Sequence, residues 1–482
     1  MKILFAVSEA APLVKTGGLG DVAFALPPAL AKRGLDVRLI IPGYPEALRG
    51  EINASWKLDS LPGYPPARLL EAIWPNGLTA FVVDCPKLYE RDGGPYQDAH
   101  GHDWPDNARR FALFCHAAVE LAKNSLPWRP DIIHCNDWPT GLVPAYARLR
   151  PNMAVATVMT VHNLAYQGVF PAPAFGDLHL PAHAFDVNGL EFYGKLSFLK
   201  AGVYYADRLT TVSPSYAKEI QTVENGWGLH GLLRARANEL TGILNGIDTR
   251  AWNPLRDPFI HRRYSPARLE GKAACKAALQ KECGLEPAAD VPLFGVVSRF
   301  TDQKGLDLVF EIAGAMTEFP GQLALLGEGD PYLIRAFNDL AKTHPGKISM
   351  TAGFDETAAH RIIAGADMFL MPSRFEPCGL SQMYSQRYGT VPIVRAAGGL
   401  LDTVEDFSQD PETATGFIFY QPSATDLFST AQKAVQAFRD KPVWQRLQQN
   451  GMRKDFGWEK SARAYQAIYS KLVSKPNAAK QA

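Results

Sequence analysis

The sequence predicts an α/β protein with two doubly wound domains. Three observations carry that prediction. Short apolar runs separated by helix-like stretches recur through the first half and start again at Pro292 to Ser298, an alternation that signals parallel sheets covered by helices. The chain has 482 residues, more than one hydrophobic core ordinarily organises. Between the two alternating regions, Trp252-Asn253-Pro254 opens a charged stretch of low periodicity, which reads as a hinge and places the domain boundary near residue 250.

Bulk properties exclude several classes. With 50 basic and 49 acidic residues the formal net charge is +1, so no nucleic-acid footprint or polybasic membrane patch is expected. The composition is 46% hydrophobic, yet no apolar run approaches a membrane span, and a soluble protein without membrane partners is expected. The run from Ile3 to Val7 ends at Ser8-Glu9, too short and too soon acidic for a secretory leader, and reads as a first strand. Cysteines 85, 115, 135, 275, 283 and 378 form no C-x-x-C pair; reduced thiols in a cytoplasm, and no zinc site, follow.

In the first half, strands are expected at Ile3 to Val7, Val37 to Ile41, Leu78 to Val83, Asp131 to Cys135, Val155 to Val161 and Leu209 to Val212. Ligands of such sheets bind beyond the carboxyl ends of the strands, so the loops there are the candidates. The first contains Lys15-Thr16-Gly17-Gly18-Leu19-Gly20-Asp21. Gly17 and Gly18 let the backbone approach a ligand, Lys15 can reach a diphosphate as a point charge, and a helix follows with Val22, Leu26, Ala29 and Leu30 on one face and a kink at Pro27-Pro28. A plain tight turn is the alternative. Gly93-Gly94-Pro95-Tyr96 and the polar, aromatic stretch to Trp104 suit carbohydrate or an ordered surface loop equally. His100 and His102 lack a third ligand for a metal.

Asn136-Asp137-Trp138 follows the fourth strand, where Asp137 is placed to cap the next helix. His162 and Asn163 follow the strand ending at Val161 and stand at the mouth of the sheet. Phe192 to Tyr205 reads as an aromatic-rich helix whose stripe belongs to the core. Ile243 to Asp248, with Asn245, closes the first domain.

In the second half, strands are expected at Pro292 to Ser298, Leu323 to Leu326, Ile348 to Thr351, Met368 to Met371 and Val391 to Val394. Arg299 and Lys304 stand in one loop before a helix from Leu306; a planar fork and a mobile point charge suit a departing diphosphate, although surface cations are commonly just solvated. Gly327-Glu328-Gly329-Asp330 could approach a base or ribose. After Pro372-Ser373, Cys378-Gly379 open a helix from Leu380 to Tyr388, whose free N–H groups and dipole favour phosphate. Glu376 precedes those donors, and Gly398-Gly399 repeats the arrangement. Trp458, Ala462, Tyr465, Ile468, Tyr469 and Leu472 recur at helical spacing. The polar tail from Lys475 is expected to be disordered.

K-T-G-G-L-x-D at Lys15, N-D-W at Asn136, S-R-x-x-x-Q-K-G at Ser298 and E-P-C-G-L at Glu376 resemble the bacterial glycogen synthases and plant starch synthases in order and spacing. The resemblance implies the GT-B fold, two Rossmann-like domains facing each other across a deep cleft. It implies an acceptor-side domain over 1–250, a nucleotide-sugar domain over 251–457, a helix over 458–474 packing back on the first domain, and a tail over 475–482. Its activity would be retaining transfer of glucose from ADP-glucose to the non-reducing end of an α-1,4-glucan, glycogen or a maltooligosaccharide, without cofactor or metal. By the same resemblance Glu376, His162, Arg299, Lys304 and Asp137 are catalytic, and Lys15, Gly17, Gly18, Asp21, Tyr96, Asn163, Asn245, Cys378, Gly379 and Leu380 bind substrate. Ser381 replaces a common Thr, Phe300-Thr301-Asp302 replaces hydrophobic-Thr-Trp, and Ala396-Ala397 replaces a frequent Arg-Thr. The competing readings are a UDP-glucose-dependent or other GT-B glucosyltransferase and a catalytically silent glucan-binding homologue; the intact cations and Glu376 argue against the last.

Overall fold

Each half of the chain folds around its own sheet of buried parallel strands. The computed structural model describes residues 1–59, 61–123, 128–151, 153, 155–319 and 321–474; the tail expected over 475–482 lies outside them. One compact unit is Met1–Gly246 together with the segment that starts at Trp458, and the other is Ile247–Gly457. The chain thus passes between units slightly before the expected hinge near 250. Asn253 and Pro254 already fold with the second unit, where Pro254 O accepts from Tyr264 N at 3.1 Å.

The first unit carries a nine-stranded sheet in the order Leu240–Gly242, Arg208–Thr211, Ala156–Val161, Ile132–Asn136, Lys2–Ala6, Asp36–Pro42, Thr79–Asp84, Arg68–Ile73 and Ile52–Lys57. The first seven pair in parallel; Arg68–Ile73 runs against them and pairs antiparallel with both Thr79–Asp84 and the edge strand Ile52–Lys57. The edge pair escapes a search for apolar runs because Ile52–Lys57 alternates the exposed polar residues Asn53, Ser55 and Lys57 with half-buried Ala54 and Trp56, the pattern of a strand with one wet face. Ile3 lies opposite both Val37 and Ile132. Strand order reverses around Lys2–Ala6, so its exit and that of Ile132–Asn136 meet at a topological switch point, where such sheets bind ligands.

The helix Gly18–Ala31 buries Leu19, Val22, Ala23, Leu26 and Leu30 and continues through Pro27-Pro28; Ala29 is half-buried. The last helix, Glu459–Val473, buries Ala462, Tyr465 and Tyr469, and Arg33 Nε donates to Gln466 Oε1 at 2.7 Å. Tyr469 reaches into the sheet, where its hydroxyl meets His134 Nδ1 at 2.6 Å; His134 Nε2 meets Thr160 Oγ1 at 2.6 Å. The aromatic helix expected over Phe192 to Tyr205 is shorter. Only Phe198–Tyr205 is helical, capped by Ser197, while Glu191–Phe192 and Lys195–Ser197 form a hairpin that pairs with Val169–Pro171. Gly194 supplies the turn that ends the helical reading.

The second unit holds six parallel strands in the order Ile348–Ala352, Gln322–Gly327, Leu293–Val297, Met368–Met371, Val391–Arg395 and Phe417–Phe419. Phe417–Phe419 has three residues, too short to stand out as an apolar run. Leu293–Val297 and Met368–Met371 are neighbours, and order reverses between them. Their exits hold Arg299 and Glu376. The core beneath is built from Phe294, Val296, Leu323, Leu325, Leu370 and Ile393.

Candidate functional site

In the first unit the K-T-G-G loop is tied down by a carboxylate from the first strand's exit. Glu9 Oε2 accepts from Thr16 N at 2.7 Å, Thr16 Oγ1 at 2.9 Å and Gly17 N at 3.0 Å. Tyr96 O–H donates to Glu9 Oε1 at 3.0 Å and lies 2.7 Å from Ser8 Oγ. Lys15 Nζ pairs with Asp21 Oδ1 at 2.7 Å, with both side chains substantially exposed. The structure therefore joins Gly17 and Tyr96 through Glu9, a residue that sequence reading did not select, and pairs Lys15 with Asp21 beside them. The position of Glu9 just past the first strand was the available signal.

Asp137 does not cap the turn Trp138–Thr140. Its Oδ1 instead accepts from His162 N at 2.7 Å and Asn163 N at 3.4 Å, so the carboxylate holds the neighbouring strand exit in place. Its φ is +57°, the left-handed region that strains a non-glycine residue and concentrates at functional sites. Burial pushes the Asp137 carboxyl up to about 7, against the lowering effect of those two N–H donors. His162 Nε2 meets Asn136 Oδ1 at 2.9 Å, and burial lowers its imidazole to about 3; it is a neutral hydrogen-bonding group. Asn163 Oδ1 accepts from Ala165 N at 3.1 Å. Asn245 follows the strand Leu240–Gly242; its side chain is buried and its Oδ1 has no partner among the described residues.

In the second unit Lys304 Nζ lies 2.5 Å from Glu376 Oε2, which also accepts from Ser373 Oγ at 3.0 Å. Both members of the ion pair are largely buried. Gly305, at φ +63°, lets the Lys304 turn pass beneath the other loop: a Cβ there would stand 2.3 Å from Pro372 O. Arg299 is exposed, and its guanidinium makes no ion pair among the described residues. Arg374 is occupied elsewhere, by Asp307 at 2.5 and 2.8 Å.

The second glycine pair differs from expectation. Gly399 N donates to Glu376 O at 3.0 Å and to Pro377 O at 3.2 Å, and a Cβ on Gly398 would stand 2.0 Å from Glu376 O. The pair is a close-packed brace for the Glu376 loop, and its Gly399 donor is spent. The helix after that loop is Ser381–Arg387, with Leu380 as its half-buried N-cap. Gly379 has φ +71°, and Gln382 Nε2 bonds to Cys378 O and Gly379 O at 3.0 and 2.9 Å. Cys378 is buried. Gly18 is the first residue of its helix and exposed.

Among the described residues no helix is long and apolar enough to cross a membrane.

Both units thus place cations, a buried acid and tightly braced glycine loops at sheet switch points. A profile for the starch synthase catalytic domain matches residues 2–235, and one for glycosyl transferases group 1 matches residues 284–453. These features define a glycosyltransferase of the GT-B fold, with two Rossmann-like domains. The glycogen synthase of Nitrosospira multiformis is 50% identical, covering 98% of each chain; that of Aromatoleum aromaticum is 52% identical over 97% of this chain and 96% of its own. The chain belongs to the glycogen synthase family. The catalytic domain of starch synthase IV from Arabidopsis thaliana, solved with ADP and acarbose, superposes with a TM-score of 0.88 at 33% identity over 98% of this chain and 99% of its own. Sucrose-phosphate synthase from Thermosynechococcus elongatus, at 19% identity and a TM-score of 0.59, shares the fold.

Proposed function

We propose that this chain takes glucose from ADP-glucose and adds it, with retention, to the non-reducing end of an α-1,4-glucan, with no metal and no cofactor. The observation that carries the reading is the Lys304–Glu376 pair beside the uncommitted Arg299 at the switch point of the second unit. A sugar nucleotide already carries a good leaving group, so the protein's task is to offset charge on the departing diphosphate and to orient an acceptor hydroxyl. Lys304 has three N–H donors; it can keep Glu376 on one and turn another to a phosphate oxygen. Arg299 adds a planar fork. On the first unit Lys15, Gly17, Gly18 and Asp21 offer a cation, backbone donors and a carboxylate for substrate, and on the second Gly379 and Leu380 contribute backbone donors. Asp137 holds the backbone of His162 and Asn163, whose side chains serve sugar hydroxyls.

Glu376 serves as a fixed acceptor for a sugar hydroxyl. Retention by double displacement would require a free carboxylate nucleophile and a separate acid/base. Glu376 is held by Lys304 and Ser373, and Asp137 by two backbone donors, which favours attack from the leaving group's face with a diphosphate oxygen taking the acceptor's proton. Support for ADP over UDP comes from the starch synthase solved with ADP. The six cysteines form no disulfide, which suits the reducing cytoplasm.

The test is transfer from radiolabelled ADP-glucose and, separately, UDP-glucose to glycogen, in EDTA, with Glu376→Ala as control. Incorporation from ADP-glucose that EDTA does not diminish and the substitution abolishes is expected. Transfer from UDP-glucose alone overturns the donor, loss in EDTA overturns the metal-free reading, and a trapped glucosyl adduct on Glu376 or Asp137 overturns front-face attack.

A further inference from the structure

Two tight turns in the first unit break the usual turn chemistry in the same way. Tyr193-Gly194 joins the hairpin strands Glu191–Phe192 and Lys195–Ser197, with Phe192 opposite Lys195; φ is +49° at Tyr193 and +77° at Gly194. Trp227-Gly228 is closed by Leu229 N donating to Gly226 O at 2.7 Å, with φ of +48° and +83°. Positive φ at both central residues is the type I′ arrangement, which wants Asn, Asp or Gly in the first position. Here a Tyr and a Trp occupy it. Large side chains in that backbone region are strained, and such strain persists where surrounding structure and function hold it.

The two turns lie against each other. A Cβ on Gly228 would stand 2.9 Å from Phe192 Cζ and 3.1 Å from Tyr193 Cε2, so Gly228 is the residue that permits the approach. Tyr193 packs edge-on to Phe192 at 4.8 Å, yet is 78% exposed; Trp227 is 47% exposed. Neither is a core residue: Tyr193 is mostly exposed and Trp227 only half-buried. Gln167 ties this corner to the loop that carries His162 and Asn163: its Nε2 donates to Trp227 O at 2.8 Å, while its buried Oε1 has no partner among the described residues. Tyr166, next to it, is 53% exposed.

We infer that Tyr193 and Trp227 form an aromatic platform that holds a glucan chain on the first unit, continuous with the His162–Asn163 loop. This rests on the proposal that the acceptor is a glucan. The C–H face of a glucose ring is apolar and polarised opposite to an aromatic face, so it stacks on Tyr or Trp while its hydroxyls stay in water. A turn tip fixes an aromatic ring at little entropic cost, since the ring has two side-chain torsions and its backbone is locked. The platform would strengthen binding of a long acceptor and leave the donor untouched.

Tyr193→Asn and Trp227→Asn test it, because Asn suits the first position of a type I′ turn and the variants should fold with Tm unchanged or raised. Retardation in glycogen-containing native gels and the KM for glycogen are read beside kcat and the KM for ADP-glucose. The expected result is roughly a threefold to tenfold weaker glycogen affinity for each variant, with kcat at saturating glycogen and donor KM unchanged. Unchanged glycogen affinity in both variants overturns the platform, as does wild-type transfer of glucose without retardation by glycogen. A concentration-dependent dimer that the substitutions abolish, with glycogen affinity retained, assigns the patch to self-association instead. No transfer to any glucan by the wild type is a different result, for it removes the functional reading beneath.

Discussion

Lys304 Nζ sits 2.5 Å from Glu376 Oε2, joining the exits of two adjacent strands of the second unit. The pair is largely withdrawn from solvent, so each charge depends on the other more than in a surface ion pair. Arg299, on the same loop as Lys304, is exposed instead. The two cations of one sequence motif therefore have different structural duties.

That difference separates two substitutions. Arg299→Ala and Lys304→Ala are each expected to lower turnover by at least about a hundredfold, the scale of losing one preorganised electrostatic donor. Only Lys304→Ala should also lower Tm, since it strands the Glu376 carboxylate. Steady-state transfer with thermal unfolding of the same preparations checks both, and a loss of turnover under about threefold in either variant contradicts the role given to that cation.

Glu9 holds the K-T-G-G loop through three donors and Tyr96 through a fourth. Glu9→Ala should cost about 1.5–3 kcal/mol or more, the worth of hydrogen bonds to a charged group, and raise the KM for donor as the loop loosens. Tyr96→Phe removes one of those bonds and the contact with Ser8 Oγ, and should cost about 1.5–3 kcal/mol, no more than Glu9→Ala. Urea unfolding and donor titration measure the pair; equal stability of Glu9→Ala and the parent refutes the anchoring role.

The buried Asp257 carboxylate joins His360 Nδ1 at 2.7 Å and Tyr388 O–H at 2.5 Å, and Trp252 stacks on His360 at 3.7 Å. Burial pushes the Asp257 carboxyl up, but the bonds from His360 and Tyr388 outweigh it and hold it below its ordinary value. Asp257→Ala should destabilise the second unit by about 3–5 kcal/mol, the cost of breaking a buried pair. A denaturation midpoint within experimental error of the parent would exclude this.

His134 and His162 are neutral in the folded chain, held at about 3 by burial, against about 6.5 unfolded. Between those values the unfolded chain binds more protons, so stability falls as pH drops below about 6.5, by up to about 2 kcal/mol per imidazole between pH 6.5 and 5. Asp137, raised to about 7, has the opposite sign: its contribution is present below the unfolded value near 4 and is lost as pH rises through about 7. His134→Gln should flatten the acid limb measured by urea unfolding at pH 8 and pH 5. An unaltered slope shows that His134 takes no part.

Local sequence determined the framework and the addresses of the chemistry. Apolar runs such as Ile3 to Val7 and Met368 to Met371 are legible because a strand buried on both faces needs continuous apolar residues, and the loop after each strand is where a doubly wound sheet exposes its ligand site. Lys15, Asp137, His162, Arg299, Lys304 and Glu376 all lie in such loops. Tertiary structure decided which polar groups were already committed: Asp137 holds a neighbouring strand exit instead of capping its own turn, the Gly399 N–H is consumed by Glu376 O, and Glu9 anchors a loop no motif links to it. The wet-faced edge strands and the Tyr193 hairpin likewise took their form from their neighbours. Backbone periodicity is a local property that short segments carry by themselves. A hydrogen bond or ion pair between strand exits depends on residues far apart in the chain, and exists only once the sheet has brought them together.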